Sequence, residues 1–120
     1  MSKRKEPNFE KPEEGDIYWL LLEKEGMKLN GPYKHPCIVT GHNEDDSSRV
    51  VGCSSKENKK LGDVPIHTEP EDMDEPTFAR RIDGERDIEN CYFTKKSKDK
   101  KDRYVPDEEL NELLKSIKES

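Results

Sequence analysis

"PCIVTGHNEDDSSRVVGCSS", Pro36–Ser55, decides how this chain folds. It is apolar at both ends and polar in the middle. Pro36–Thr40 reads as a strand, with its proline at the first position, where a missing backbone N–H is tolerated. Gly41–Ser48 reads as a polar turn. Arg49–Ser55 reads as the next strand, and Gly52 within it marks a bend or a close backbone approach.

Upstream, "GDIYWLLLEKEG" begins at Gly15 and supplies an earlier strand. Gly15 turns the chain, and the aromatic and aliphatic residues behind it favour extended backbone. A run that is apolar on both faces suits a strand covered on both sides, or an interface strand. Between the two strands, Met27–His35 is a loop, marked by Asn30-Gly31-Pro32. Downstream, Lys56–Gly62 is a basic loop and Asp63–Glu69 a short strand that Pro65 confines to an edge. Pro70–Pro76 is an acidic insert. Phe78–Ile82 and Cys91–Thr94 carry two more short strands, and Lys95–Arg103 is a basic low-complexity loop. The segment 106–119 is a helix, because Leu110, Leu113, Leu114 and Ile117 recur at helical spacing. Pro106 suits its first position, Asp107–Glu109 its positive end, and Lys115 and Lys118 its negative end.

The totals place these pieces in one domain, residues 15–120, behind a flexible charged arm, residues 1–14. Leu, Ile, Val and Phe make 22 of the 120 residues. That is close to the composition of a disordered chain, but the net charge of −6 is small against 22 basic and 28 acidic residues. The apolar residues are also clustered, so a thin core is expected. The longest apolar run, Ile17–Leu22, is far short of a bilayer span. The basic N-terminus lacks the apolar segment of a secretory signal. Cys37, Cys53 and Cys91 are an odd number without a Cys-x-x-Cys pair, which suits buried free thiols in a reducing compartment. A cytoplasmic location is expected, or a nuclear one in a eukaryote. The fold class expected is mainly β, a small and strongly bent antiparallel sheet, closed or half closed, with a C-terminal helix packed across one opening.

The order of the motifs resembles the PemK/MazF family of toxins. A Gly-Asp-Ile-aromatic strand opens it (Gly15-Asp16-Ile17-Tyr18-Trp19). A loop ending in a basic residue and proline leads to an aliphatic strand (Lys34-His35-Pro36-Cys37-Ile38-Val39). The next strand ends in small hydroxyl residues (Val50-Val51-Gly52-Cys53-Ser54-Ser55). A basic loop and a Pro-x-His strand follow in "KKLGDVPIHTE". The likeness covers Gly15 to Glu69 and the terminal helix. It implies a half-open, Src-homology-like β-barrel and a metal-independent endoribonuclease acting on single-stranded RNA. It also implies an antitoxin-like protein partner, no cofactor, and a homodimer through the face bearing Tyr18 and the loop before Pro36. Two departures stand out. The family's arginine before the proline is replaced by His35, with Lys34 behind it, and its catalytic hydroxyl falls on Ser54, or on Ser55 if the strands slip by one residue. The acidic insert Glu69–Glu75 and the basic loop Lys95–Arg103 have no clear counterpart.

On this reading His35, Lys34, Ser54 and Ser55 are the catalytic candidates. A histidine titrates near neutral pH and serves as acid or base. A lysine beside the phosphate stabilises charge, and a serine hydroxyl positions it. Lys56, Lys59, Lys60 and Arg49 are the RNA-binding candidates. The plainer alternatives stay open beside these. From its residues alone His35 reads first as a loop histidine bonded to backbone, and serines at a strand end are more often turn residues than catalysts. His42 and His67 read as solvated, Tyr18 and Trp19 as core or dimer contacts, and Lys95–Arg103 as a solvated loop that could also meet phosphates. The competing functions are a non-catalytic protein- or nucleic-acid-binding module on the same barrel, and an antitoxin-like or structural accessory protein.

Overall fold

The computed structural model of the chain describes residues 11–20 and 34–119. The expectations for residues 1–10, for Leu21 and Leu22, and for the loop up to Tyr33 lie outside the described residues. The protein is mainly β with one C-terminal helix. Its strands are β1 (Ile17–Leu20), β2 (His35–His42), β3 (Ser47–Ser54), β4 (Val64–Pro65), β5 (Phe78–Ala79) and β6 (Arg86–Glu89), and the helix is α1 (Asp107–Glu119). All six strands form one antiparallel sheet in the order β1-β2-β3-β5-β4, with β6 also paired to β3. The sheet is open, not closed into a barrel: β1 and β4 end the order at opposite sides.

The hairpin of β2 and β3 is its centre. Cys37 lies opposite Gly52, Ile38 opposite Val51 and Val39 opposite Val50, before the register shifts at Thr40. Successive side chains of a strand point to opposite faces, so the apolar runs must be buried on both. On one face Cys37, Val39 and Val50 join Tyr18, Leu20, Ile88 and Phe93. On the other, Ile38, Val51 and Cys53 join Ile17, Ile66, Ala79, Val105 and the helix residues Leu110 and Leu113. This two-sided cover explains how a chain with few aliphatic residues forms a core at all. Tyr18 is packed edge-on against Phe93, with ring centroids 5.0 Å apart at 87°. The Tyr18 ring is therefore part of the core of the single chain.

The far side of β3 is divided between two strands. β6 pairs with its first half and β5 with its last two residues. The outer elements are shorter than the sequence suggests. The strand expected over Asp63–Glu69 contracts to Val64–Pro65, and that over Phe78–Ile82 to Phe78–Ala79, followed by a 3-10 turn at Arg81–Asp83. The strand expected at Cys91–Thr94 is instead a 3-10 turn, Asn90–Tyr92, and the pairing segment precedes it as β6. The apolar Cys-Tyr-Phe triplet misleads here: only Phe93 is buried, while Cys91 and Tyr92 face solvent. Cys91 is thus exposed, unlike Cys37 and Cys53, against the expectation of three buried thiols. At the other end of the described chain, Pro12 is fully buried, while Lys11, Glu13 and Glu14 beside it are exposed.

The basic segment Lys95–Arg103 is a loop, as expected, with most of its lysines exposed, but Ser97, Asp99 and Arg103 within it are buried. It lies along the open edge of β1, where the Trp19 N–H donates to the Ser97 carbonyl at 2.7 Å and the Asp99 N–H to the Ile17 carbonyl at 3.0 Å. An uncovered edge strand is a template for unwanted pairing, and this segment covers it. No described helix is long and apolar enough to cross a membrane.

Candidate functional site

β2 enters the sheet at its outer corner. His35 lies opposite Leu20, and Pro36 opposite Trp19. Proline holds its own φ near −65° and restricts the residue before it, so His35 is presented with little backbone freedom. At this corner a cavity of about 440 Å³ opens. Lys34, His35 and Pro36 form one wall, Ser55 lies just beyond the end of β3, and Trp19 projects from β1. The acidic insert closes the far side with Met73, Asp74, Glu75 and Thr77, and Arg103 reaches in from the basic segment.

The sequence-derived candidates separate clearly. Lys34, His35 and Ser55 line this one cavity. Ser54 does not; its hydroxyl accepts the Lys56 N–H at 3.2 Å in the turn after β3. Lys56, Lys59 and Lys60 are exposed, the last two in a 3-10 turn capped by Asn58, and they line neither this cavity nor the groove beside it. Arg49 sits at the other end of the hairpin, opposite Gly41. Its guanidinium is held by Glu85 at 3.1 Å, by the Asn43 side chain at 2.8 Å and by the His42 carbonyl at 3.2 Å. His42 is half-buried against Ser48 at 3.1 Å, and His67 is exposed beside Glu109 at 3.2 Å. Among the described residues, no three His, Cys, Asp or Glu side chains gather into a group able to hold a metal ion.

The floor of the site is an ion pair that sequence reading missed. Asp99 and Arg103 are only 3% and 5% exposed. Arg103 grips Asp99 with two parallel bonds, Nε to Oδ2 at 2.8 Å and Nη2 to Oδ1 at 2.7 Å. Trp19 Nε1 donates to the same carboxylate at 3.1 Å, and the backbone N–H groups of Lys101 and Arg103 donate to it at 3.2 Å each. Burial pushes the Asp99 carboxyl up, but the bonds from Arg103 and Trp19 outweigh it and hold the group down at about 2. Such a bidentate, charge-assisted pair is rigid as well as strong.

The same guanidinium reaches the acidic insert. Arg103 Nη1 donates to Asp74 and to the Asp72 carbonyl, both at 3.3 Å, while Lys101 meets Asp74 at 3.4 Å and Glu71 at 3.5 Å. Thr68 shapes the insert from within, its hydroxyl donating to the Glu71 carbonyl at 2.7 Å and its N–H to Asp72 at 3.2 Å. The two inserts, acidic and basic, are thereby joined into one wall of the cavity. The signal for this was in the sequence as opposite charge, but neither segment has the apolar periodicity by which packed elements are recognised.

A second cavity of about 400 Å³ adjoins the first and shares Trp19, Lys34, Asp74 and Arg103 with it. Lys96, Lys98, Lys100 and Lys101 line the remainder. Among the described residues, six cationic side chains and two carboxylates line it, and one of those carboxylates, Asp99, is already neutralised by Arg103. Exposed lysines, the Trp19 ring and His35 thus border the two adjoining cavities. No family model matches this chain, and no curated protein matches its sequence.

Proposed function

We propose that this protein is a metal-independent endoribonuclease-like protein related to PemK/MazF toxins, acting on single-stranded RNA, with the bent sheet serving as a half-open barrel of that type. The observation that carries the reading is the shared cavity of Lys34, His35 and Ser55. Cleavage of this kind uses the substrate's own 2′-hydroxyl. Its oxygen attacks phosphorus, the bond to the 5′-oxygen breaks, and the products end in a 2′,3′-cyclic phosphate and a 5′-hydroxyl. One group must take the 2′ proton and another must give a proton to the leaving 5′-oxygen. His35 is suited to either task near neutral pH. Glu75, on the opposite wall, is the carboxylate that supplies the second, since Asp74 is engaged by Arg103 and Lys101. Lys34 stabilises the charge gathering on the phosphoryl oxygens, and the Ser55 hydroxyl positions them.

The test is incubation of the pure protein with end-labelled single-stranded RNA in EDTA. Cleavage with a bell-shaped pH profile is expected, and His35→Ala lowers the rate by ~10²-fold or more while circular dichroism stays unchanged. Intact RNA with the wild-type protein refutes the reading. Cleavage that is indifferent to His35→Ala refutes the assignment of His35.

A second reading is favoured by one observation. Among the described residues, the one guanidinium lining the cavity, Arg103, is bound to Asp99 and Asp74 instead of being held ready for substrate. A planar two-point grip on phosphate is worth more than a lysine point charge. On this reading the same cavity belongs to a non-catalytic binding module. An antitoxin-like partner, a homodimer and a cytoplasmic location accompany the toxin-type reading as proposals.

A further inference from the structure

We infer that the lysine-lined groove over Trp19 is a subsite for the nucleotides flanking the reacting phosphate, built by the Lys95–Arg103 segment and selective for single strands. The inference rests on the single-stranded RNA reading of the neighbouring cavity. Three features support it. First, the two cavities share Trp19, Lys34, Asp74 and Arg103 in their linings, so a strand lying across His35 has Trp19 and the lysines beside it within reach. Second, Trp19 is half-buried with its polar edge fixed, Nε1 to Asp99 and backbone N–H to Ser97, so its ring is a rigid surface in the lining of both cavities. A fixed aromatic ring stacks any base, but only a base that is not already paired in a duplex. Third, the cations sort by occupation. Arg103, Lys98 and Lys101 hold carboxylates, whereas Lys34, Lys96 and Lys100 are exposed and make no ion pair among the described residues. Those three remain for phosphates.

Trp19 is the only tryptophan of the chain, so the groove carries its own reporter. The probe is a single-stranded oligonucleotide with every 2′-oxygen methylated, which cannot be cleaved because its nucleophile is blocked. Titration is expected to quench Trp19 fluorescence, with affinity falling as salt rises at a log–log slope of about −2, the value for roughly three phosphate contacts on a single strand. The double charge reversal Lys96→Glu with Lys100→Glu should weaken binding by about tenfold or more, and a duplex of the same sequence should quench far less. With unmodified RNA, the charge reversal should raise KM for a long strand and leave a dinucleotide, too short to enter the groove, unaffected. Quenching and lysine-dependent binding without any cleavage of unmodified RNA support the groove and refute the nuclease reading. Cleavage with a silent Trp19, or with the charge reversal leaving long-strand KM unchanged, refutes the groove and leaves the nuclease reading standing.

Discussion

Replacing Asp99 with asparagine tests whether the buried ion pair builds the site wall. The wild-type carboxyl titrates at about 2, against an ordinary 3.8. A difference of that size corresponds to about 2 kcal/mol of stability in the ionised form. The sign follows from the depressed value. The contribution is fully present above about pH 4, where the unfolded chain is also ionised, and it drains away as pH falls from about 4 to about 2. Asp99→Asn abolishes that acid limb. It also leaves the Arg103 guanidinium buried without its main counter-ion, and breaking a buried pair from one side typically costs about 3–5 kcal/mol. A loss near the lower end is expected, because Asp74 still neutralises Arg103 in part and the amide oxygen still accepts a bond. Urea unfolding followed by far-ultraviolet circular dichroism, repeated between pH 2 and 7, measures both quantities. A variant within about 0.5 kcal/mol of wild type at pH 7, or one that keeps the wild-type loss of stability between pH 4 and 2, refutes the reasoning.

Two further outcomes concern the core. Gly15 has a φ of +93°, and a Cβ there would lie 2.7 Å from the Val105 carbonyl oxygen, so Gly15→Ala should cost at least about 2 kcal/mol in the same urea assay; a neutral variant contradicts the described approach of Val105 to β1. Thiol titration with an aromatic disulfide should find Cys91 alone reactive in the native protein and three thiols in urea, because burial pushes the Cys37 thiol up to about 12 and raises Cys53 likewise; rapid native reaction of two or more thiols contradicts the two-sided cover of the β2–β3 hairpin.

The sequence made the centre of this fold legible and its margins much less so, for a physical reason. β2, β3 and α1 are set by apolar periodicity, and their side chains are buried where that period places them. Val50 goes to one face and Val51 to the other, and Leu110 and Leu113 go onto the sheet. The margins are set by pairing partners far away in the chain. β4 and β5 are two residues long, and no local pattern distinguishes Val64–Pro65 from a loop. The site followed the same division. His35 and Lys34 were readable because a proline and an aliphatic strand follow them. Trp19 reads as core from its apolar neighbours, yet its polar edge faces Asp99, which is 80 positions away in the chain. Asp99 and Arg103 sit inside a run of lysines that reads as solvent-exposed, and burial singles out just those two charged residues of the run.

That burial has a consequence for how the cavity can work. A charged segment can serve as wall or as ligand grip, but a given side chain does not do both well, because a cation already bonded to a buried carboxylate must lose that bond to meet a phosphate. On the proposed RNA reading, the two duties fall to different residues of Lys95–Arg103. Asp99 and Arg103 fix the segment to β1 and to the acidic insert, and Lys98 and Lys101 add exposed pairs of the weak surface kind. Lys96 and Lys100 are left pointing at solvent on a backbone that the buried pair has already ordered. On the same reading, a phosphate chain arriving there would meet a loop that is already ordered. The acidic insert, which by its charge alone would repel RNA, has Asp74 neutralised by Arg103 and Lys101, so that Glu75 is the cavity carboxylate of the insert without an ion pair among the described residues. A net negative chain can in this way present a locally cationic groove, and it is the local field that an RNA strand meets within a Debye length of about 8–10 Å.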